Sequence, residues 1–273
     1  MVNLNSKYQE LIDQLKREIP AHPDLSIILG SGLGDFVNEI KLIKSIPTSS
    51  IKNYPPSTIK GHEGKIHFGE YSGKNILIFQ GRIHFYEGYN ISECVLPVFI
   101  SHKLNSKKII LTNAAGGINP LFTPGDLMLI ESVNGIAIKK ELSDLIGIPT
   151  IDGKNNLINF PSPKLNEIIK KAALLEKIDL KEGVYWYVKG PSYETPSEIK
   201  MIKKFGGDAV GMSTVHESIF AAYLGLETAS ISCITNFAAG ISGKKLNHEE
   251  VTETANKVKY KFERLVKKII SLI

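Results

Sequence analysis

The sequence is poor in cysteine, contains no long apolar run and carries no block of like charges. Its 273 residues include only two cysteines, Cys94 and Cys233, each within an apolar stretch, so we expect two buried thiols and no disulfide. No segment approaches the roughly 18 consecutive apolar residues of a membrane-spanning helix, and the N-terminus lacks a basic segment leading into an apolar secretory core. We therefore expect a cytoplasmic protein without a membrane partner.

The absence of a concentrated basic segment argues against a nucleic-acid partner. The formal net charge is +5, but the lysines are scattered and cluster only in short pairs such as Lys107-Lys108 and Lys203-Lys204. A nucleic-acid site concentrates its basic residues on one element or one face. The hydrophobic content of 42% and the charged content of 22% are those of an ordinary globular protein. We expect solvated lysines and no nucleic-acid partner.

Metal and nicotinamide signatures are also missing. Neither His62-Glu63 nor His248-Glu249 is completed by a histidine three residues after the glutamate, as a zinc helix would require. The glycine-rich run 30–34 is followed by Asp35 where a dinucleotide fingerprint has glycine, and residues 45–62 supply no acidic residue for a ribose. No lysine follows the run, as a Walker phosphate loop would require. The sequence therefore predicts no metal site and disfavours nicotinamide cofactors.

Apolar residues alternate between helical and strand spacing along the chain. Leu4 to Ile19 has helical spacing, Leu25 to Leu29 is a short buried strand, and residues 66–71 and 75–79 form a hairpin. Further helices are predicted at about 91–105, 163–176, 195–204, 213–224 and 248–270, and strands at 108–112, 126–131, 183–189 and 227–235. We expect a single α/β domain over residues 1–273, with a mixed central β-sheet flanked by helices on both faces. Residues 133–162 show no sustained period and are predicted to form a long irregular excursion.

Two motifs with anion-binding chemistry follow predicted strands. The run 30–34 frees backbone N–H groups to point at an anion and adds the hydroxyl of Ser31, although packing glycines in a tight turn give the same pattern. Arg82, His84 and Tyr86 follow the strand 75–79, and their period-two spacing predicts that all three share one face. A guanidinium beside an imidazole binds a dianion well, and an aromatic ring beyond them suits a sugar. The alternative is an exposed strand face whose side chains are satisfied without a ligand.

Small and aromatic residues mark two more candidate ligand contacts. Ala114 stands in a run of small residues after the strand 108–112, where a ligand can touch backbone. Tyr193 and Glu194 come just before a helix whose predicted cap is Thr195, and they offer an aromatic face and a carboxylate to a base. Glu194 could instead serve only the dipole of that helix.

Three further segments carry candidate residues. Met212 and Ser213 open the helix 213–224, where a hydroxyl and backbone N–H groups form a second anion contact or a plain N-cap. A serine hydrolase is disfavoured because the nucleophile elbow fails at Val215. Asn236 ends the strand 227–235, and His248 opens the last helix; taken singly, these would be a turn residue and a surface cap.

Taken together, these segments resemble the trimeric purine nucleoside phosphorylases, in the order in which that family carries them. The matching segments span residues 27–250 and include Gly61-His62, Gly81-Arg82-Ile83-His84-Phe85-Tyr86-Glu87-Gly88, Gly190-Pro191-Ser192-Tyr193-Glu194-Thr195 and Asn247-His248-Glu249-Glu250. The resemblance implies that phosphate is surrounded by Ser31, His62, Arg82, His84, Ala114 and Ser213. It implies further that Tyr86, Met212 and His248 face the ribose, and that Tyr193, Glu194 and Asn236 hold the base.

The resemblance also implies a reaction. We expect phosphorolysis of inosine, guanosine and their deoxy forms to free base and (deoxy)ribose 1-phosphate, with His84, Glu194 and Asn236 as catalytic residues. Phosphate is a substrate in this reaction, so no cofactor or metal is expected. The family implies a phosphorylase-like fold and a homotrimer.

Two alternatives and one departure accompany this expectation. A 5′-methylthioadenosine phosphorylase resembles the chain less, since it usually has threonine at the position of Ser31 and aspartate at that of Asn236. A non-catalytic nucleotide- or phosphate-binding protein could use the same loops. Residues 132–162 depart from the family pattern, and the role of Phe160 toward a neighbouring subunit stays open.

Overall fold

Nine strands form one mixed β-sheet in the computed structural model, which describes residues 3–56, 63–242 and 248–273 without the side chains of 248–252 and 255. The strands are β1 (Leu25–Leu29), β2 (Lys41–Pro47), β3 (Lys65–Tyr71), β4 (Lys74–Gln80), β5 (Lys108–Gly117), β6 (Leu127–Asn134), β7 (Leu180–Tyr187), β8 (Ala209–Gly211) and β9 (Glu227–Phe237). Their order is β2-β3-β4-β1-β5-β8-β7-β6-β9, and β9 also pairs with β5, so the last five strands close into a ring. Strand β1 runs parallel to both β4 and β5, whereas β2–β3 and β3–β4 are antiparallel.

Helices cover both faces of this sheet. They are α1 (Leu4–Lys7), α2 (Gln9–Glu18), α3 (Ile91–Cys94), α4 (Leu96–Lys103), α5 (Lys139–Ile146), α6 (Ile151–Ile158), α7 (Pro163–Leu175), α8 (Pro196–Lys204), α9 (Val215–Tyr223) and α10 (His248–Leu272). Successive residues of β1 point to opposite faces, so Ile27 packs in a core with α7 and α10 while Ile28 packs in a core with α2, α4 and α9. The predicted fold class, a mixed sheet between two helical layers, is confirmed.

The predicted elements differ from the observed ones mainly at their ends. The first helix is interrupted at Tyr8 and the helix predicted near 91–105 at Val95. Strand β5 continues through the small residues to Gly117, and the strands β2 and β8 were not predicted.

The irregular excursion predicted for residues 133–162 is wrong. This segment holds the end of β6 and the helices α5 and α6. Gly153 and two asparagines give α6 a low helical propensity, but its cap is well formed, since Thr150 Oγ1 accepts from Gly153 N at 3.0 Å. Gly153 also lies so close to the ring of Tyr223 that a Cβ atom there would collide with it. Packing against α9 therefore selects a helix that sequence periodicity does not signal.

Both cysteines are buried and unpaired, as expected. Burial raises the pKa of the Cys233 thiol to about 12. Within the described ranges, none of the helices combines the length and the apolar character that crossing a membrane requires.

Candidate active site

One cleft gathers most of the residues that the sequence singled out. It lies where β1, β4, β5 and β9 end, the edge of parallel strands at which α/β sheets bind ligands. Ten of the twelve candidates line it, namely Ser31, Arg82, His84, Tyr86, Ala114, Tyr193, Glu194, Met212, Ser213 and Asn236. His62 and the side chain of His248 lie outside the described residues.

The turn that carries Ser31 is held by β5 at its entrance. Gly30 N donates to Thr112 Oγ1 at 3.0 Å, and a Cβ atom built on Gly30 would lie 2.6 Å from the Cα of Asn113. Gly32 has a φ of 75°, a conformation that favours glycine. Packing thus requires Gly30 and the turn requires Gly32, and the same turn presents Ser31 to the cleft.

Arg82, His84 and Tyr86 reach the cleft without the strand geometry that the sequence predicted. Strand β4 ends at Gln80, Gly81 has a φ of 132°, and Phe85–Glu87 is a short 3-10 helix. The period-two prediction is therefore wrong, because the glycine ends the strand before Arg82. The three side chains line one cleft through a bend and a 3-10 turn.

Arg82 is held by a carboxylate that the sequence analysis missed. Its Nε donates to Glu217 Oε2 at 2.8 Å, and its Nη1 donates to the carbonyl oxygen of Thr112 at 2.9 Å. Glu217 is fully buried in the first turn of α9, and its Oε2 also accepts from Thr214 N at 3.0 Å. An acidic residue in the first turn of a helix is a common capping pattern, so sequence alone gave no sign of its partner.

His84 is oriented by a second missed carboxylate, that of Glu87. Glu87 Oε1 lies 3.0 Å from His84 Nδ1 and also accepts from the backbone N of His84 at 2.9 Å. Tyr86 stacks on the imidazole with 4.7 Å between ring centroids and 22° between planes. Burial raises the pKa of Tyr86 to about 12, so its hydroxyl stays protonated. The imidazole and the phenol ring therefore form one preorganised wall of the cleft.

Ser213 lies before the cap of its helix. The N-cap of α9 is Thr214, whose φ of 73° is unusual for a β-branched residue. Ser213 Oγ and Thr214 Oγ1 are 3.1 Å apart, and Asn113 Nδ2 donates to Thr214 Oγ1 at 3.0 Å. The N-cap alternative for Ser213 is therefore wrong, and the unusual backbone at Thr214 turns the preceding serine to the cleft.

The remaining wall carries an aromatic ring, a carboxylate and an amide. Burial raises the pKa of Glu194, and the charge of Glu198 adds to this shift. Thr195 caps α8, accepting from Glu198 N at 3.3 Å, so the predicted capping box is confirmed. Asn236 Oδ1 accepts from the hydroxyl of Thr235 at 2.9 Å, which fixes how the amide faces the cleft. Thr235 lines the cleft as well, and it was not a candidate from the sequence.

No metal cluster accompanies these residues in the described part of the chain, where no three His, Cys, Asp or Glu side chains could hold a metal ion together. Phe160 is half-buried and lines a different surface depression, next to Ser162 and Glu227.

Comparisons with known proteins agree with this geometry. The model of the phosphorylase superfamily matches residues 24–271. Purine nucleoside phosphorylase 1 of Geobacillus stearothermophilus is 43% identical over 264 residues, which cover 94% of this chain and 93% of the relative. A Schistosoma purine nucleoside phosphorylase in complex with hypoxanthine superposes with a TM-score of 0.88 at 30% identity, covering 99% of both chains. The Schistosoma mansoni enzyme in complex with inosine gives the same TM-score at 29% identity, covering 99% of this chain and 98% of that one.

Proposed function

Because the chain belongs to the phosphorylase superfamily and, within it, to the purine nucleoside phosphorylases, we propose that it catalyses phosphorolysis of purine nucleosides. Phosphate attacks the anomeric carbon of the ribose, the carbon–nitrogen bond to the purine breaks, and the bonding electrons leave with the base. The products are the free base and ribose 1-phosphate, or deoxyribose 1-phosphate from a deoxynucleoside. The observation that carries this proposal is the meeting of anion-binding and base-binding side chains in one cleft.

Phosphate is bound by Ser31, Arg82, His84, Ala114 and Ser213, with His62 as a further contact expected from the family resemblance. Arg82 supplies a fixed cation and hydrogen-bond donors, the hydroxyls supply neutral donors, and an imidazole beside them donates to a phosphate oxygen. As the bond to the base stretches, positive charge develops on the ribose, and the bound anion stabilises it. Phosphate is itself the nucleophile, so the reaction needs no covalent enzyme intermediate, metal or organic cofactor.

The purine is bound by Tyr193, Glu194 and Asn236, while Tyr86, Met212 and His248 contact the ribose. The ring of Tyr193 offers a stacking surface for the base. Glu194 accepts from an N–H group of a 6-oxopurine, and Asn236 stabilises the negative charge that accumulates on the departing base. A 6-oxopurine nucleoside such as inosine or guanosine is therefore the proposed substrate, in purine salvage in the cytoplasm.

A homotrimer is the proposed assembly. Its support is a group of apolar side chains in residues 136–158 that a lone chain leaves in water, namely Ile136, Ile148, Ile151 and Ile158, exposed by 71%, 91%, 78% and 79%. Clustered exposed apolar side chains are typical of protein interfaces, and these four belong to one segment of the chain. One chain has a mass of 30.1 kDa, and sedimentation equilibrium should give three times this value. A monomer at micromolar concentration would remove this proposal.

A substrate panel tests the proposed specificity. Inosine, adenosine and 5′-methylthioadenosine are each incubated with the protein and phosphate, and base release is measured. We expect inosine to be cleaved fastest. Preference for 5′-methylthioadenosine would assign the chain to that related activity, and binding without base release from any of the three would mark a non-catalytic binding protein.

A further inference from the structure

Two buried polar side chains outside the cleft are hydrogen-bonded in series to the turn that carries Ser31. His67 on β3 and Gln80 at the end of β4 are exposed by only 4% and 8%. His67 Nε2 lies 2.9 Å from Gln80 Oε1, and Gln80 Nε2 donates to the carbonyl oxygen of Gly34 at 3.2 Å. Gly34 is the last residue of the glycine-rich turn.

The direction of these two bonds is fixed by chemistry. The carbonyl oxygen of Gly34 can only accept, so Gln80 must direct its NH₂ group to it and its own oxygen to His67. His67 must then carry its proton on Nε2 in order to donate to that oxygen. Burial lowers the pKa of His67, so the ring is neutral and Nε2–H is its single donor. The hydrogen bond from His67 therefore fixes the amide of Gln80 in the one orientation that lets its NH₂ group donate to the carbonyl oxygen of Gly34.

The position of Gln80 in the chain connects these two hydrogen bonds to the cleft. Gln80 comes two residues before Arg82, and Gly34 comes three residues after Ser31. The entrance of the serine turn is already held by the bond from Gly30 N to Thr112 Oγ1. Gln80 holds its exit, so one side chain couples the segment that carries Arg82 to the turn that carries Ser31.

We propose that His67 and Gln80 are positioning residues for phosphate, setting the placement of Ser31 relative to Arg82 without touching the ligand. This inference rests on the proposed function, because it assigns Ser31 and Arg82 to phosphate. A displaced serine turn weakens phosphate binding but leaves the base-binding residues in place. The affinity for phosphate should therefore decrease while the affinity for the nucleoside stays nearly unchanged.

The test compares His67→Phe with wild type in steady-state kinetics, with inosine and phosphate varied separately. Phenylalanine keeps a buried ring but removes the donor, so KM for phosphate should rise roughly fivefold to tenfold, while KM for inosine stays within about twofold. His67→Gln can donate an N–H from nearly the same place and should recover most of the loss. The matched control is Phe68→Leu, a buried neighbour on the opposite face of β3, which should lower the melting temperature without raising KM for phosphate.

A second readout does not depend on turnover. Phosphate raises the melting temperature of a protein that binds it, and His67→Phe should need roughly five to ten times more phosphate than wild type for the same rise. A wild-type protein without phosphorolysis would contradict the proposed function, while this melting comparison would still decide the positioning role. An active wild type together with an unchanged phosphate KM in His67→Phe would overturn the inference. If His67→Phe does not fold, Gln80→Met decides by the same two measurements.

Discussion

Arg82 and Glu217 form an ion pair that is almost entirely removed from solvent, with 1% and 0% of their side chains exposed and 2.8 Å between Nε and Oε2. The two residues are 135 positions apart, so the pair joins the segment after β4 to the first turn of α9. Glu217 does not line the cleft, but it fixes the orientation of a guanidinium that does. We therefore expect the affinity for phosphate at Arg82 to depend on a residue that phosphate does not contact.

Glu217→Gln should destabilise the protein strongly. Removing one partner of a buried pair leaves an uncompensated charge, and such changes typically cost about 3–5 kcal/mol in the free energy of unfolding. Chemical denaturation measures this loss. The control is Glu10→Gln, which breaks the pair between Glu10 and Lys52, two side chains that are 67% and 69% exposed. Exposed pairs contribute less than about 1 kcal/mol, so equal small losses in both variants would contradict a structural role for the buried pair.

His84→Ala should weaken the use of phosphate far more than that of the nucleoside. A charge-assisted bond to a dianion contributes about 1.5–3 kcal/mol, so KM for phosphate should rise by roughly one to two decades. The control His22→Ala changes an exposed histidine outside the cleft and should leave both constants unchanged. If inosine affinity fell while KM for phosphate stayed the same, His84 would belong to the nucleoside and not to phosphate.

His216 should make the protein acid-sensitive. Its buried ring lies 5.5 Å from that of Tyr187, and burial, then the charges of Arg82 and His84, lower the pKa of His216 from 6.5 to about 3. Below pH 6.5 this histidine becomes protonated in the unfolded chain but stays neutral in the folded one. The free energy of unfolding therefore decreases as the pH falls from 6.5 toward 3.

The variant His216→Phe measures that contribution. Between about pH 7 and about pH 5, wild type should lose roughly 2 kcal/mol more in the free energy of unfolding than His216→Phe, as urea titrations at both pH values would show. Parallel losses in the two proteins would mean that His216 titrates normally in the folded state.

Asn236→Asp should lower the preference for 6-oxopurines over 6-aminopurines. The amide can donate to O6 and, once N7 is protonated as the base departs, accept from N7–H, whereas a carboxylate only accepts. Loss of the donor should cost about 1–3 kcal/mol in transition-state binding of inosine, and adenosine should gain an acceptor for its amine. Adenosine lacks the N1–H that Glu194 is proposed to accept, so the variant should remain a poor adenosine enzyme. A ratio of kcat/KM for inosine to that for adenosine that stays within about threefold of wild type would remove Asn236 from base recognition.

Local patterns in the sequence predicted the elements that local chemistry determines. The capping box of Thr195 and Glu198 forms as their spacing indicates, because both partners lie within one helical turn. The strand Leu25–Leu29 before the serine turn was also predicted correctly, because a short run with four apolar residues out of five that ends in a glycine-rich turn is typical of a buried strand. The two-layer fold follows from the regular alternation of such segments.

Local sequence patterns could not predict contacts between segments that are distant in the chain. No spacing rule links Glu217 to Arg82, and none could show that Gln80 would bond to Gly34 across 46 positions. The helix α6 forms because Gly153 fits against Tyr223, a packing effect that outweighs its poor helical propensity. The candidate residues themselves came from motifs in the order of a known family, and the cleft brings ten of them together.

Phosphate-dependent cleavage of inosine tests the central claim most directly. The purified protein is incubated with inosine at neutral pH, with and without phosphate and with chloride at matched ionic strength, while hypoxanthine and the sugar product are both quantified. We predict hypoxanthine and ribose 1-phosphate in equal amounts, and only when phosphate is present. Release of hypoxanthine with free ribose in the absence of phosphate would show a hydrolase, and no release under either condition would contradict the proposed activity altogether.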